Sequence, residues 1–379
     1  MEDSIKKQKK IGETALHVGR PNLPEKKRVL DLVSRVMDNQ WLSNMGPCTL
    51  ELEEKLANFL GVKHCLCVCN ATIGLILVQK ALELEGEVII PSFTFIATAH
   101  SLSWQGIKPV FCDINKSDHL IDTNKIESLI TPSTSAILAV NLWGQPCDIN
   151  ILKEISKRHN LKLIFDSAQA FGSKYNKTYL GGFGDAEIFS FHATKVFSTG
   201  EGGAITTNSD KLASKIRKMR NFGFSYENKI KHVGINAKMS EITAAFGLAG
   251  FGDINTFIKR NKKVYKWYVK AFNDVKGIRF LNYKHPVNYQ YVVAQVSSRI
   301  RDELLKNYHK ENILVRKYFH PGAHNAGPYN SVDNETSNTL TVTDKISNEV
   351  LVFPTGQQMS YDKIKRIREI YISYNQHNN

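Results

Sequence analysis

From residue 62 to residue 207 the chain alternates short apolar, β-branched runs with stretches of helical periodicity, and this alternation constrains the fold more than any other feature. The strand-like runs are 64–69, 87–91, 109–114, 136–141, 162–166, 187–191 and 204–207. Between several of them lie helix signals. Thr123 can cap a helix with Ile126, Leu129 and Ile130 on one face, and Asp148 another with Ile151, Leu152 and Ile155. Strands separated by helices make βαβ units, hence a mainly parallel sheet covered on both faces. After Ser240 the pattern changes. Ile242, Ala245, Phe246 and Ala249 recur at helical spacing, a second helical stretch fills 254–272, a strand-like run 290–297, and helical patterns 299–311 and 360–374. The expected organisation is a large α/β domain over 1–250, its first 45 residues an arm and helix, and a smaller α+β domain over 251–379. The Ser-, Thr- and Asn-rich run 327–345 reads as a surface loop.

The length of 379 residues allows a sizeable core without staples. Cys65, Cys67 and Cys69 alternate along one strand and share a face, and no pair has zinc-type spacing. The six cysteines therefore read as small buried hydrophobes in a reducing compartment, with no metal site. The charged N-terminus contains no signal-peptide core, and no run approaches the roughly 20 apolar residues of a membrane span, so a soluble, cytoplasmic protein is expected. The net charge of +14 is spread along the chain. Its dense blocks, 6–10 and 211–220, lack interleaved aromatics. Steering of small anionic substrates into a cleft accounts for the charge better than nucleic-acid binding.

Ligands on parallel sheets bind beyond the carboxyl ends of the strands, and three elements fall there. Run 64–69 ends at Asn70-Ala71-Thr72 before a helical stretch 73–84, a place for a phosphate or for a plain N-cap. Run 162–166 ends in Asp166, which could cap the next helix, hold a metal or pair with a ligand cation. Lys195 follows a buried-looking strand and precedes the glycine-rich Gly200-Glu201-Gly202-Gly203. A lysine amine in a low-dielectric pocket loses its proton more readily and becomes a nucleophile toward carbonyls, although a lone lysine is usually a solvated surface group. Each element alone is ordinary. Together they supply what pyridoxal phosphate requires: a phosphate cradle, a carboxylate for the ring nitrogen and an amine for the aldehyde.

The motifs that surround these residues extend the argument. The runs Asn39-Gln40-Trp41-Leu42-Ser43-Asn44-Met45-Gly46-Pro47, Pro91-Ser92-Phe93-Thr94-Phe95-Ile96-Ala97-Thr98, Phe165-Asp166-Ser167-Ala168-Gln169, Ser190-Phe191-His192-Ala193-Thr194-Lys195 and Gly234-Ile235-Asn236-Ala237-Lys238-Met239-Ser240-Glu241 occur in this order. In them the chain resembles the DegT/DnrJ/StrS-type sugar aminotransferases of fold type I. That resemblance implies a Schiff base between pyridoxal phosphate and Lys195, with Asp166 against the pyridine nitrogen. It implies Phe95 on one face of the ring and Gln169 near the other. Ala71, Thr72 and Ser190 would hold the phosphate, joined by Asn236 of a second subunit, so that a homodimer shares its sites. Ala71 departs from the family's usual glycine. Asn44, Arg316, Tyr318 and His324 are the candidates for substrate contacts.

The motifs around Trp41 and His192 look most like enzymes that aminate C4 of a nucleotide-linked 4-keto-6-deoxyhexose, with L-glutamate as donor, for surface glycans such as O-antigen. Amination at C3 of a 3-keto isomer is the runner-up, followed by a non-catalytic sugar-binding homologue. A dehydratase relative would carry His where this chain has Lys195.

Overall fold

The computed structural model describes residues 15–225, 229–330 and 340–378. The basic block 6–10 and the middle of the Ser/Thr/Asn-rich run lie outside them. Seven strands form the central sheet: β1 (His64–Val68), β2 (Glu87–Pro91), β3 (Lys108–Cys112), β4 (Thr134–Val140), β5 (Lys162–Asp166), β6 (Ala186–Ser190) and β7 (Gly203–Thr207), in the order β1-β7-β6-β5-β4-β2-β3. Only β7 runs against the rest, antiparallel to both β1 and β6. The fold is α/β with a mixed, mostly parallel sheet, as the alternation of runs implies.

These strands are apolar along their length because both faces are covered. Ile89, Ile137 and Phe165 point into one core layer, with Leu52 and Leu56 of α2 (Pro47–Leu60, after α1, Lys26–Asp38). Val88, Ile90, Leu138 and Ile164 point into the other, with Leu75 and Val78 of α3 (Ala71–Ala81) and Leu102 of α4 (Ala97–Ser103). The remaining helices are α5 (Ile149–Arg158), α6 (Asp210–Met219), α7 (Glu241–Phe251), α8 (Ile254–Ala271), α9 (Ser298–Lys310), α10 (Thr341–Glu349) and α11 (Tyr361–Asn378). A third core layer, including Tyr268, Tyr308 and Tyr371, packs on a smaller antiparallel sheet of β8 (Ile278–Phe280), β9 (Val292–Val296) and β10 (Val350–Phe353).

Local caps set several helix starts. Asn70 is extended and its side chain accepts from Ile73 N at 2.9 Å; Asp148 accepts from Ile151 N at 3.4 Å, as the sequence suggests. Two readings need correction. Asp122, not Thr123, caps the helical turn Thr123–Ile126, accepting from Asn124 N at 3.1 Å. The turn gives way to a 3-10 segment, Glu127–Leu129, and ends at an extended Ile130, two residues before Pro132. Secondly, the Ser/Thr/Asn-rich run is not all loop, because α10 begins at Thr341. Its N-cap position, Leu340, supplies no capping side chain. The cap comes instead from Asp113, just past β3, whose carboxylate accepts from Val342 N (3.1 Å) and from Thr343 N and Oγ1 (both 2.8 Å).

At the N-terminal side, Leu16–His17 pairs with Ile313–Leu314, and Asn22 Nδ2 donates to Val196 O at 3.2 Å. The arm therefore runs from the C-terminal part of the chain to the loop that carries Lys195.

Candidate active site

β1, β4, β5 and β6 all present their carboxyl ends to one cavity of about 330 Å³. Asn70 and Ala71 follow β1, and the first turn of α3 aims its unpaired N–H groups at one end of the cavity. Gly203 makes that approach feasible. A Cβ there would lie 2.8 Å from both Ala71 N and Phe189 O, so any side chain would push β7 away from the α3 start. Ser190, the last residue of β6, lines the same end beside Thr72.

Asp166 closes β5 and is buried. Its Oδ2 accepts from Thr98 Oγ1 at 2.8 Å and its Oδ1 from Ala168 N at 3.1 Å. Burial pushes its carboxyl above the ordinary range, opposed by Thr98, by the Ala168 N–H and by the charge on Lys195. Lys195 stands in the loop after β6, where its own N–H closes a turn on His192 O at 2.9 Å. Its Nζ donates to Tyr291 Oη at 3.1 Å. Gln169 is buried with its orientation fixed, since its Oε1 accepts from Trp143 N at 2.8 Å. Phe95 lines the cavity while 57% exposed, an unusual setting for a phenylalanine and one that leaves a ring face free. Behind it, Phe319 lies 5.9 Å away and is stacked on Trp143 at 5.5 Å.

The fold thus brings together Ala71, Thr72, Phe95, Asp166, Gln169, Ser190, Lys195 and Tyr318 around one space. It does not bring Asn44, Asn236, Arg316 or His324 there. Asn44 is exposed ahead of α2, Asn236 is exposed and paired through its backbone with Asn221, and Arg316 is exposed with its backbone bridged to Val352. His324 is buried elsewhere. Its Nδ1 bonds Ser92 Oγ and its Nε2 lies 3.1 Å from Asp344 Oδ1, so both ring nitrogens already have partners. It lines a larger cavity of about 550 Å³ beside edge strand β3, bounded by Asn330 and Leu340, the residues flanking 331–339. That space is larger than the first, but its ion pair, Lys108–Glu87 at 3.4 Å, joins the first residues of β3 and β2, at their amino ends.

Residues 24–371 match the DegT/DnrJ/EryC1/StrS aminotransferase family. The chain belongs to that family. A dTDP-4-amino-4,6-dideoxy-D-glucose transaminase of Shigella dysenteriae is 38% identical over 94% of this chain and 98% of its own length. A GDP-perosamine synthase of Caulobacter vibrioides is 34% identical over 93% of this chain and 96% of its own. Among solved structures, DesI in the presence of its TDP-sugar product superposes with a TM-score of 0.91, at 37% identity and 96% coverage of both chains. The protein is accordingly an aminotransferase whose cofactor is pyridoxal phosphate.

Sequence reasoning missed four cavity neighbours. Thr98 lies within a motif already singled out, at the Thr94–Thr98 helical spacing that brings their hydroxyls to 2.9 Å. Tyr291, Trp143 and Phe319 carry no local signal; each enters through tertiary packing. No helix among the described residues is long and apolar enough to cross a membrane.

Proposed function

We propose that this aminotransferase converts a nucleotide-linked 4-keto-6-deoxyhexose to the 4-amino-4,6-dideoxy sugar, with L-glutamate as amino donor, and that Lys195 and Asp166 carry the cofactor chemistry. The observation that bears most weight is the meeting of Asp166, Lys195 and the α3 N-terminus around one cavity of about 330 Å³. Pyridoxal phosphate supplies an aldehyde that takes up amines and a ring that draws electrons from the neighbouring carbon. The donor set fits that group. The N–H groups at the start of α3 and the hydroxyls of Thr72 and Ser190 would hold its phosphate. Asp166, whose burial makes a nearby cation its natural partner, would pair with the ring nitrogen. Lys195 would hold the aldehyde, and its amine is the group placed to take up and return a proton at the reacting carbon. Phe95 and Gln169, both lining the cavity, would confine the ring, and Gln169 is held in place by the bond from Trp143 N to its Oε1.

The amination at C4 rather than C3 draws on the activities for which the Shigella dysenteriae and Caulobacter vibrioides relatives are named. An anionic sugar nucleotide agrees with the net charge of +14. We also read the protein as a homodimer, with domains over 1–250 and 251–379. Phe222, Phe224, Ile230, Val233 and Ile235 are exposed within 14 residues of sequence, 69% and 82% for Ile230 and Val233, and Asn236 follows directly. A second subunit covering this stretch would bury it and bring the partner's Asn236 toward the phosphate. Arg316, Tyr318 and Asn44 remain candidates for contacts to the sugar nucleotide.

Incubating the protein with glutamate and dTDP-, UDP- or GDP-linked 4-keto-6-deoxy sugars, with product analysis by mass and NMR, tests the activity. Formation of a 3-amino sugar alone would reject it. Borohydride reduction followed by peptide mass analysis tests the lysine, and label on any other residue would reject Lys195.

A further inference from the structure

Tyr291 lies 96 residues from Lys195 in sequence and places its hydroxyl oxygen 3.1 Å from Nζ. The ring is 4% exposed and packs edge-on against Trp143 at 5.6 Å. Its backbone is held as firmly as its ring. Tyr283 Oη donates to Tyr291 O at 2.8 Å. Asn288 Nδ2 donates to Gln169 O at 2.8 Å and to Phe171 O at 3.0 Å, and Gln290 Nε2 donates to Thr194 O at 2.7 Å. The segment 288–291 is thereby fixed to the residues after Asp166 on one side and to the residue before Lys195 on the other. Gln290 is itself steadied by Asn261 Nδ2 at 3.1 Å.

Packing alone does not require the hydroxyl, because phenylalanine would fill the same volume against Trp143. What the hydroxyl adds is an acceptor at a fixed point beside a lysine whose four-carbon stem otherwise lets the amine rotate freely. An amine that must collect a proton at one carbon and release it at another depends on where its lone pair points.

We infer that Tyr291 is a positioning residue for Lys195: its oxygen accepts one N–H of the amine and so directs the remaining hydrogens and the lone pair into the cavity. This rests on the reading of Lys195 as the proton carrier. Tyr291 keeps its own proton throughout. The proton leaving the donor carbon goes to Nζ, and from Nζ to the second carbon, while the phenol oxygen accepts an N–H in both states. The bond is stronger when the amine is an ammonium, because it is then charge-assisted.

The test compares wild type with Tyr291→Phe and Tyr291→Leu in the full chain. Three quantities are measured: the rate at which cofactor-free protein takes up pyridoxal phosphate, followed by visible absorbance; kcat and KM for glutamate and the sugar nucleotide; and Tm. For Tyr291→Phe, uptake and kcat fall by about 10- to 100-fold, the loss of one hydrogen bond to a charged group. KM stays within about threefold and Tm within about 2 °C. Tyr291→Leu loses the ring as well and also lowers Tm. Should Tyr291→Phe take up cofactor and turn over at wild-type rates while Tyr291→Leu is impaired, the ring would matter and the hydroxyl would not, and the inference fails. Borohydride labelling of Tyr291→Phe separates this failure from the other: label on Lys195 with unchanged rates removes only the role of Tyr291, whereas label elsewhere removes the reading of Lys195 itself.

Discussion

Replacing Thr98 by valine keeps its shape and deletes the hydroxyl that donates to Asp166 Oδ2 at 2.8 Å. Thr98 is fully buried, so water cannot take the place of the lost donor. A hydrogen bond to a charged group is worth about 1.5–3 kcal/mol, which corresponds to about one to two pKa units. Burial already raises the Asp166 carboxyl, and Thr98 is foremost among the groups that oppose it. The substitution pushes further in the direction burial has set. The sign follows from linkage. An acid whose folded pKa is raised contributes its stability below its unfolded pKa and loses it as pH rises through the folded value, so Thr98→Val costs stability toward neutral pH rather than in acid.

Function should suffer in the same window, because a protonated Asp166 offers no charge to a ring nitrogen. Cofactor affinity, compared at about pH 5 and about pH 8, is expected to weaken by about 10- to 100-fold wherever the variant carboxyl is protonated and the wild-type one is ionised. Absorbance or fluorescence titration with pyridoxal phosphate at both pH values measures this, and Thr98→Ser, which keeps a donor, serves as the control. Dissociation constants within about threefold of wild type at both pH values would refute the argument, because the hydroxyl would then contribute nothing to the charge on Asp166.

Three further outcomes follow from the packing. Asp113→Asn removes the carboxylate that caps α10 and bonds Lys125 Nζ at 3.0 Å, and should cost about 2–3 kcal/mol by thermal or chemical denaturation. Burial alone would raise the Asp113 carboxyl, but Lys125, Ile114 N and Thr343 outweigh it and hold it below the ordinary range. Its contribution is therefore present above the unfolded value and lost as pH falls through the folded one, so wild type and variant should converge below about pH 4. Gly46→Ala would set a Cβ 2.7 Å from the carboxyl carbon of Glu241, whose oxygens accept from Cys48 N (2.7 Å) and Thr49 N (3.0 Å) at the start of α2; a loss of about 1–3 kcal/mol is expected, visible as a lower Tm. Val233→Glu places a charge in the exposed apolar stretch proposed as a dimer interface, so sedimentation should show the proposed dimer weakened toward monomer and cofactor retention should fall with it; a dimer of unchanged stability would reject that stretch as the interface.

How much of this was legible in the sequence depended on whether the deciding partner was near in the chain. The central strands could be read because burial on both faces leaves continuous apolar runs, and a run ends where the cavity begins. That is why Asp166, at the end of β5, stood out beside Lys195, whereas Ser190, at the end of β6 but inside the expected run 187–191, entered only through the family resemblance. Asn70 and Asp148 were readable as caps because the N–H each accepts lies three residues on. Thr123 misled because Asp122, one position earlier, is also a good cap and won. For α10 no local signal could have served, since its cap is a carboxylate 229 residues away from Val342. His324 shows the same limit from the other side. A histidine is chemically eligible for the substrate contact expected of it, but Ser92 and Asp344 occupy its two nitrogens, and neither is a sequence neighbour. Tyr291 is the converse: an unremarkable aromatic in a strand-like run, made significant by Asn288 and Gln290, which attach it to the residues around Asp166 and Lys195. Residue type and strand position locate the groups that bear charge in this site. Which side chains hold those groups in place is decided by contacts across the fold, so the residues that tune Asp166 and Lys195 had to be read from the structure.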